Sequence, residues 1–370
     1  MQKILYITDR EEYSEHNFIG PLFEKYLPEH LDIDIIYFTK FKSYFGRKDN
    51  QLVIPEFKKK RLFGCLEDNG IDVSRYDCVI VRNMHDVLEY VLENKSKYNI
   101  KVGFRLSFPK ITAELEKAKA ENRSSLIQVA NHKIKTYIKS NLIDRCDIFL
   151  PTSKQMQEVY YPNVKTKMFI IPSAIDPERI HEKMSRDDDK TVFAYNGTLS
   201  KLRNFEVLME AFELLKKDNW ELDIATKDAN LTESYVKPYK SIANNIKISK
   251  ASTKEDLIDF ISRCDVGLCL LPNIDLFNTS LHLKIVNYYT SGIPTLMSNN
   301  EQNSSIFTDE KDAWLCNFDA NEIKNELEKI IDTPKDKIKE MGELGQKRLL
   351  EVRNYKVIAK QLSDALESLQ

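Results

Sequence analysis

The sequence predicts an α/β protein built from two Rossmann-like domains in series. Its 370 residues are too many for one hydrophobic core, so two domains are expected. Short, continuously apolar runs alternate with helical patterns, which is typical of a parallel sheet covered on both faces. The alternation stops at the charged segment 181–190 and then starts again, so we interpret that segment as a linker. In such domains, ligands bind beyond the carboxyl ends of the strands.

The first half contains apolar runs of strand length separated by helical stretches. We predict strands at 3–8, 33–38, 78–81, 102–105, 148–151 and 169–172. We predict helices at 20–27, 87–94 and 111–143.

The second half repeats this pattern. We predict strands at 192–195, 222–225, 246–248, 266–271 and 295–298. We predict helices at 204–217, 254–263 and 321–331, and one more amphipathic helix at the end of the chain. The stretch 281–298 is expected to form a helix, a tight turn and a strand, because Gly292 and Pro294 are typical of a helix C-cap and its stop.

Composition narrows the class of protein. The net charge of -2 gives no general case for nucleic acid as a partner. Six scattered cysteines without a CxxC pair are typical of reduced core residues, so we expect a cytoplasmic protein. The first residues, MQKILYIT, predict a strand rather than a signal peptide, and no apolar run approaches the roughly 20 residues that a membrane span needs.

One candidate site is the turn after the predicted strand 192–195. Gly197 would let a ligand approach the backbone, and Arg203 precedes the helix that starts near Asn204. A guanidinium at this place could bind a phosphate with two parallel hydrogen bonds. The alternative is a plain strand-to-helix turn with a solvated arginine.

A second candidate is the start of the helix that holds Lys284. Thr279 and Ser280 are good N-cap residues, and a helix N-terminus offers unpaired N–H groups to an anion. The ammonium of Lys284 could point at the same place, so that a diphosphate would bind there. The alternative is a lysine that reaches solvent from a half-buried helix. A third candidate site is the polar end of the predicted strand 222–225, which holds Lys227. It is weaker evidence for ligand binding than the first two.

Four stretches, in the same order and at the same spacing, resemble the GT-B retaining glycosyltransferases, especially glycosyltransferase family 4. LHLKIVNYYTSGIPTLMS at 281–298 resembles P-x-K-x-x-E-Y-x-A-x-G-x-P-V, and GTLSKLRNFEVLMEAF at 197–212 resembles the G-R-L-x-x-x-K-N turn and helix. IIPSAID at 170–176 is similar to the interdomain V-x-P-N-G-V-D signature. The stretch 251–272 is similar to the segment before the donor loop of that family.

The resemblance implies a GT-B fold with two domains facing across a cleft. Residues 1–175 would bind the acceptor, 176–350 would bind a nucleotide sugar, and 351–370 would form a helix that crosses back to pack on the first domain. Arg203 and Lys284 would contact the donor diphosphate. The whole predicted donor site comprises Gly197, Thr198, Asn204, Lys227, Thr279, Ser280, Leu283, Asn287 and Tyr288.

The chain departs from the family pattern at several positions. Thr198 replaces an arginine that contacts the diphosphate, and Asn287 replaces the glutamate that usually holds the donor ribose. His282-Leu283 replaces the proline before the lysine, and Ser173-Ala174 replaces Asn-Gly in the interdomain signature. An Asn at 287 could still bind a ribose hydroxyl, but without a charge-assisted hydrogen bond.

The resemblance also implies a mechanism and an acceptor side. Transfer would retain the anomeric configuration without an enzymic nucleophile, and with no DxD-like pair in a donor loop we expect neither a metal nor a cofactor. Besides Arg203 and Lys284, we assign a catalytic role to His85, for which an ordinary loop histidine is the alternative. Gly20 and Arg105 are assigned to acceptor binding.

Cations interleaved with aromatic residues at 40–63 suit contact with an anionic membrane surface or a phosphate-bearing lipid, and a solvated loop is the alternative. We therefore predict a transfer from a nucleotide-sugar donor to a glycan or lipid-linked acceptor in bacterial surface polysaccharide synthesis. A GT-B sugar-nucleotide 2-epimerase and a non-catalytic sugar-binding protein remain the alternatives.

Overall fold

A computed structural model describes residues 1–11, 19–181, 183–184, 186, 189–226, 228–251 and 253–369. The chain forms two compact α/β units, as predicted. The first unit comprises Met1–Leu115, Ser124–Pro172 and Tyr355–Gln370, and the second comprises Glu116–Arg123 and Ser173–Asn354. The units therefore divide at 172/173, where the sequence predicted 175/176.

The first unit is built on a seven-stranded sheet. Its strands are β1 (Lys3–Glu11), β2 (Asp32–Thr39), β3 (Gly46–Lys48), β4 (Gln51–Pro55), β5 (Cys78–Arg82), β6 (Lys101–Leu106) and β7 (Ile148–Pro151). Their order is β3-β4-β2-β1-β5-β6-β7, and every pair is parallel except β3 with β4. The central strands are buried on both faces, which explains why they are continuously apolar.

Helices lie between the strands of this unit along the chain. They are α1 (Leu62–Glu67), α2 (His85–Tyr98), α3 (Lys110–Ala120), α4 (Leu126–Ile143) and α5 (Lys154–Tyr160). The other helical segments are the π-helical Gly20–Tyr26 and the 3-10 segments Leu27–Glu29, Glu56–Arg61 and Val73–Arg75.

Three predictions for this unit were wrong. The expected helix 111–143 is two helices, because Asn122 adopts a left-handed φ of 53° and Ser125 starts α4 with a capping box to Gln128. The run 169–172 is not a strand of the sheet, although the N–H of Ile171 donates to the carbonyl of Pro151. The hairpin of β3 and β4 lies within 40–63, where we predicted no strand.

The second unit is built on a six-stranded, all-parallel sheet. Its strands are β8 (Thr191–Asn196), β9 (Trp220–Thr226), β10 (Ile246–Lys250), β11 (Val266–Cys269), β12 (Thr295–Ser298) and β13 (Trp314–Cys316). Their order is β10-β9-β8-β11-β12-β13, so the strand order reverses between β8 and β11. In doubly wound sheets the ligand crevice lies at this reversal, outside the carboxyl ends of the strands.

The helices of the second unit follow the same alternation. They are α6 (Phe205–Glu213), α7 (Ala229–Val236), α8 (Lys254–Ser262), α9 (Asp275–Asn278), α10 (Leu283–Thr290), α11 (Glu301–Ser304), α12 (Ala320–Asp332) and α13 (Lys335–Val352). Shorter 3-10 segments are Lys201–Arg203 and Lys240–Asn245. The segment interpreted as a linker is tied to this unit, since Lys183 pairs with buried Asp265. Its residues 182, 185, 187 and 188 lie outside the described residues.

The C-terminal end of helix α10 is fixed by the turn and the strand that follow it and by a neighbouring helix. Gly292 has the positive φ of 69° expected at a helix C-cap, and β12 follows as predicted. α13, which we did not predict, packs on α10 through two glycines. A Cβ at Gly345 would lie 2.1 Å from Cε1 of Tyr289, so only glycine permits this approach.

The last helix, α14 (Tyr355–Glu367), belongs to the first unit and packs on Gly20–Tyr26. The amide of Gln2 donates to the carbonyl of Leu366 at 3.3 Å and fixes the end of this helix beside β1. None of the described helices is both long and apolar enough to cross a membrane.

Candidate functional site

Lys284 is the second residue of α10 and the one buried lysine among the described residues. The N-cap of this helix is His282, with an extended φ of -74° and ψ of 138°, and not Thr279 or Ser280 as predicted. Burial lowers the pKa of His282 to about 4, so its neutral ring donates to the carbonyl of Phe277 at 2.8 Å. The ring therefore braces the chain before α10 instead of capping it.

Within the described part of the chain, the ammonium of Lys284 has no counter-ion. Its side chain is 7% exposed, and within the described residues no hydrogen-bond partner reaches Nζ. Nζ lies 4.2 Å from the centroid of the Tyr195 ring, which offers a weak cation–π contact. Burial lowers the pKa of Lys284 to about 8, and the positive charge of Arg203 also lowers it. A buried cation that the protein does not neutralise is ready to bind an anion.

Gly197 brings the backbone up to this ammonium. Its φ of 133° is disfavoured for residues with a Cβ. A Cβ at this position would lie 3.6 Å from Nζ of Lys284 and 3.9 Å from Nη1 of Arg203. The predicted convergence of these three residues at the carboxyl end of β8 is confirmed.

Arg203 is the last residue of the 3-10 segment Lys201–Arg203. Its guanidinium carbon lies 5.8 Å from the centroid of the Phe277 ring, and its side chain is half-buried. Its positive charge also acts on Tyr195, whose pKa burial raises to about 12 against this effect. Across the described part of the chain, no carboxylate forms an ion pair with either Arg203 or Lys284. Two cations therefore face the same place without internal compensation.

Tyr288 was predicted to contact the donor, and the structure corrects this. The residue is fully buried, and its hydroxyl donates to the carbonyl of Ala194 at 3.0 Å. It also accepts from the N–H of Asn196 at 3.2 Å. Its ring lies against Gly267, where a Cβ would approach to 2.3 Å. Tyr288 is thus a positioning residue that fixes the end of β8 immediately before Gly197.

The remaining predicted donor residues differ in accessibility. Thr198 and Asn204 are exposed, and Asn204 adopts a left-handed φ of 46° at the start of α6. Three others, Ser280, Leu283 and Asn287, are half-buried, whereas Thr279 is buried. Lys227 lies outside the described residues.

A cavity of the second unit is lined in part by Gly197. It has a volume of about 280 Å³ and is lined mainly by apolar side chains at the carboxyl ends of β8, β9 and β10. Its lining residues are Asn196, Gly197, Thr198, Leu199, Ala225, Thr226, Asp228, Leu231, Ala251 and Leu257. Sequence reasoning missed Ala251 and Leu257 as lining residues, although they lie in a stretch already singled out by the resemblance.

In the first unit, His85 lines a cavity of about 740 Å³ between α2, α3 and α4. Its Nε2 lies 3.2 Å from the hydroxyl of Tyr161, and its ring packs 4.7 Å from the Phe104 ring. Burial lowers the pKa of His85 to about 3, so the ring is neutral in any physiological solution. A neutral imidazole here can orient a hydroxyl group but carries no charge to a substrate.

Arg105 was assigned to acceptor binding, and the structure contradicts this. The side chain is 1% exposed. Its guanidinium donates to the carbonyls of Leu106, Leu150 and Ile171 at 3.1, 2.9 and 2.8 Å. Burial lowers its pKa to about 10, so it stays charged. The burial and the three hydrogen bonds place Arg105 inside the fold. Its guanidinium links β6, β7 and the segment at Ile171.

Gly20 begins the π-helical segment of the first unit. A Cβ there would lie 3.6 Å from a carboxylate oxygen of Glu24, an ordinary contact, so local space does not demand glycine. Its assignment to acceptor binding stays a prediction, and the preceding residues 12–18 lie outside the described residues.

One buried charge cluster at the carboxyl edge of the first sheet was missed. Asp9, after the predicted first strand, pairs with Arg82 and, at 2.6 Å, with Lys110. Asn83 joins it at 3.3 Å. Burial alone would raise the pKa of Asp9, but these cations hold it below its usual value. Polar residues directly after strands 3–8 and 78–81 were the signal that could have found the cluster.

The segment 40–63 presents both of its predicted residue types to solvent. Phe41, Tyr44 and Phe57 are exposed large aromatics. Lysines lie among them, and the ammonium of Lys59 lies 4.8 Å from the Phe38 ring centroid. As for metals, no three His, Cys, Asp or Glu side chains of the described residues form a candidate site.

Two α/β units, each built on a mainly parallel sheet with this strand order, are characteristic of the GT-B fold, and solved structures match over the whole chain. Anabaena HepE in complex with UDP and glucose matches with a TM-score of 0.69 at 12% identity, covering 100% of both chains. Sucrose-phosphate synthase from Thermosynechococcus elongatus matches with a TM-score of 0.73 at 13% identity, covering 100% of this chain and 99% of that chain. The apo form of the lipopolysaccharide outer core galactosyltransferase WaaB matches with a TM-score of 0.65 at 12% identity, covering 100% of both chains. The predicted GT-B fold is confirmed.

The sequence of the second unit is similar to a known protein family. Residues 176–348 match the family model described as glycosyl transferases group 1. This match spans most of the second unit, and the predicted enzyme class, a glycosyltransferase, is confirmed. Among curated proteins, no sequence matches the chain significantly.

Proposed function

We propose that the chain transfers a sugar from a nucleotide-sugar donor, whose diphosphate lies between Lys284, Arg203 and the backbone at Gly197. The observation that carries this proposal is the buried ammonium of Lys284, which faces Gly197 and has no counter-ion within the described residues. Leaving a charge buried and unpaired costs free energy, and a diphosphate would offset that cost.

The same two cations would stabilise the transition state. Cleavage of the bond between the anomeric carbon and the diphosphate leaves both electrons on a phosphate oxygen. Fixed positive groups stabilise that developing charge without a proton donated by the protein. The acceptor hydroxyl would attack from the side that the diphosphate leaves, and its proton would pass to the leaving phosphate. This route retains the anomeric configuration and requires no nucleophile from the protein.

The cavity of about 280 Å³ beside Gly197 would hold the nucleoside. Its walls are mainly apolar, which suits the face of a base, and it adjoins the proposed diphosphate position through Gly197 itself. UDP is the first nucleotide to test, since HepE was solved with UDP and glucose. Asn287 is half-buried and would offer the ribose a neutral amide.

The acceptor side belongs to the first unit. The cavity at His85 is large enough for a sugar residue and lies at the carboxyl ends of β5 and β6. We propose a glycan or lipid-linked acceptor of bacterial surface polysaccharide synthesis, with segment 40–63 as a peripheral membrane contact of a cytoplasmic enzyme. The likeness to WaaB, a lipopolysaccharide galactosyltransferase, supports this acceptor class.

Nucleotide binding and turnover of Lys284→Ala and Arg203→Ala test the donor site. Each variant should lose about 100-fold or more in kcat/KM with a UDP-sugar while keeping its melting temperature. Lys201→Ala is the matched control, because Lys201 is an exposed cation of the same 3-10 segment. Wild-type kinetics in both variants would exclude this site.

Metal independence is tested separately. Turnover should survive excess EDTA, because the two cations already supply positive charge to the leaving diphosphate. Activity that EDTA abolishes and Mg²⁺ or Mn²⁺ restores would overturn this part of the proposal.

A further inference from the structure

Most of the large apolar residues of helix α4 face solvent, which is unusual for a helix of a folded domain. Its half-buried and buried residues are partly polar, at His132, Thr136 and Ser140, whereas Leu142 and Ile143 in its last turn pack on the core. Five of its large apolar residues are between 58% and 89% exposed: Leu126, Ile127, Ile134, Tyr137 and Ile138. We call these five residues the α4 stripe.

Helical spacing makes the α4 stripe continuous. Ile127, Ile134 and Ile138 follow each other at seven and four residues, and Tyr137 adjoins them on the same face. The helix has 18 residues and is about 27 Å long at 1.5 Å per residue. Monomeric proteins rarely leave a contiguous apolar face of this kind in water, so something covers it.

The charges around the stripe indicate what covers it. Lys133 and Lys135 flank the stripe on its two sides and are exposed. The sequence of α4 contains no Asp or Glu. A second copy packed on the stripe would bring these lysines against their own counterparts, which like-charge repulsion opposes. An anionic lipid surface meets both features, since it accepts the apolar side chains and attracts the lysines.

A neighbouring segment points the same way. α2 packs against α4 and also against the 3-10 segment Glu56–Arg61, so both lie on one side of the sheet. Glu56–Arg61 carries exposed Phe57 beside Lys58, Lys59 and Lys60. The side of the first unit that bears the stripe therefore offers a second cationic and aromatic contact.

We propose that α4 lies in the surface of an anionic bilayer, with the α4 stripe buried among the acyl chains and its lysines at the lipid head groups. This inference does not rest on sugar transfer, and it concerns an element that the sequence did not single out. Ile138 and Lys139 also line the cavity at His85, so that a bilayer on this face would adjoin that cavity.

Sedimentation of the full chain with lipid vesicles tests the proposal. We expect the chain to bind vesicles of equal parts phosphatidylcholine and phosphatidylglycerol, to bind vesicles of phosphatidylcholine alone much less, and to be released by salt. Ile134→Ser with Ile138→Ser should lower the partition coefficient by about tenfold or more. Lys133→Glu with Lys135→Glu should do the same.

Two matched double variants serve as controls. Leu214→Ser with Val357→Ser removes apolar side chains of similar exposure outside α4, at 47% and 52%. Lys237→Glu with Lys240→Glu changes the net charge equally on the second unit. Both should bind vesicles like the wild type, and circular dichroism with a melting curve shows that every variant is folded.

The alternatives give different results. Equal binding by the α4 variants and the controls would overturn the proposal, as would equal binding to neutral and anionic vesicles. A wild-type dimer in sedimentation velocity that Ile134→Ser with Ile138→Ser makes monomeric, without vesicle binding, would assign the stripe to a second copy. Because the assay contains no nucleotide sugar, vesicle binding without nucleotide binding would refute only the proposed function.

Discussion

Both units place a buried cation near the carboxyl edge of a parallel sheet, but the two cations have opposite surroundings. In the first unit, the guanidinium of Arg105 donates to three backbone carbonyls. In the second unit, the ammonium of Lys284 has no hydrogen-bond partner among the described residues and lies beside Arg203. A buried charge whose hydrogen bonds are all made inside the protein stabilises the fold. A buried charge that lacks a partner can be neutralised by a ligand that supplies the counter-ion.

The largest effect on stability should come from Arg105. Replacing Arg105 by Leu removes a charged donor from three buried carbonyls, of which that of Leu106 keeps a second side-chain donor, Thr152, so the free energy of unfolding should fall by about 3 kcal/mol or more. Urea denaturation followed by circular dichroism measures this. Arg75→Leu is the control: its side chain is 79% exposed, and its loss should change stability by no more than about 0.5 kcal/mol. An Arg105 variant of unchanged stability and raised acceptor KM would instead restore the acceptor-binding assignment.

Arg105 and Tyr288 also show where sequence reasoning ends. The buried strands were predictable, because continuous apolar runs need cover on both faces. The convergence of Gly197, Arg203 and Lys284 was predictable too, because parallel strands end at one edge. Whether a polar side chain at that edge faces a ligand or a carbonyl was not, because the carbonyls that bind Arg105 include those of Leu150 and Ile171, which lie far along the chain.

The helices and strands that were predicted wrongly or missed each have a local cause. The break between α3 and α4 depends on one left-handed residue, Asn122, inside a stretch with continuous helical periodicity. β13 has only three residues, too few for a periodic signal. The α4 stripe escaped notice because periodicity shows that a helix has two faces but not which face is turned inward.

Tyr288 should have the next largest effect. Tyr288→Phe removes the hydroxyl that binds the carbonyl of Ala194 and the N–H of Asn196, so stability should fall by about 2 kcal/mol. Because these contacts fix the strand end before Gly197, the KM for the donor should rise as well. Denaturation and initial-rate kinetics measure the two effects. Tyr44→Phe, at an exposed tyrosine, should change neither, and an unaltered KM in Tyr288→Phe would remove its positioning role.

The affinity for the donor should depend on pH through Lys284. Its pKa is lowered to about 8 in the unliganded protein, mainly by burial, and a bound diphosphate would raise it. Below pH 8 the ammonium is already charged, so affinity should be constant there. Above pH 8 binding must take up a proton, so affinity should fall by about tenfold per pH unit until the pKa of the complex is reached. Calorimetry with UDP in buffers of different ionisation enthalpy detects this uptake, and Lys284→Ala should abolish it.

The smallest expected change in stability is that of Lys284→Met, and its sign is opposite to that of the Arg105 substitution. Lys284→Met keeps a flexible side chain of similar volume and removes an unpaired buried charge, so the unliganded protein should gain about 1 kcal/mol of stability. The folded-state pKa of about 8 lies below the ordinary 10.5. The charged form therefore costs stability fully below pH 8, and this cost disappears as pH rises towards 10.5. The gain from Lys284→Met should follow that dependence in urea denaturation, whereas Lys201→Met, at an exposed lysine, should show none. A large loss of stability in Lys284→Met would mean that Lys284, like Arg105, supports the fold.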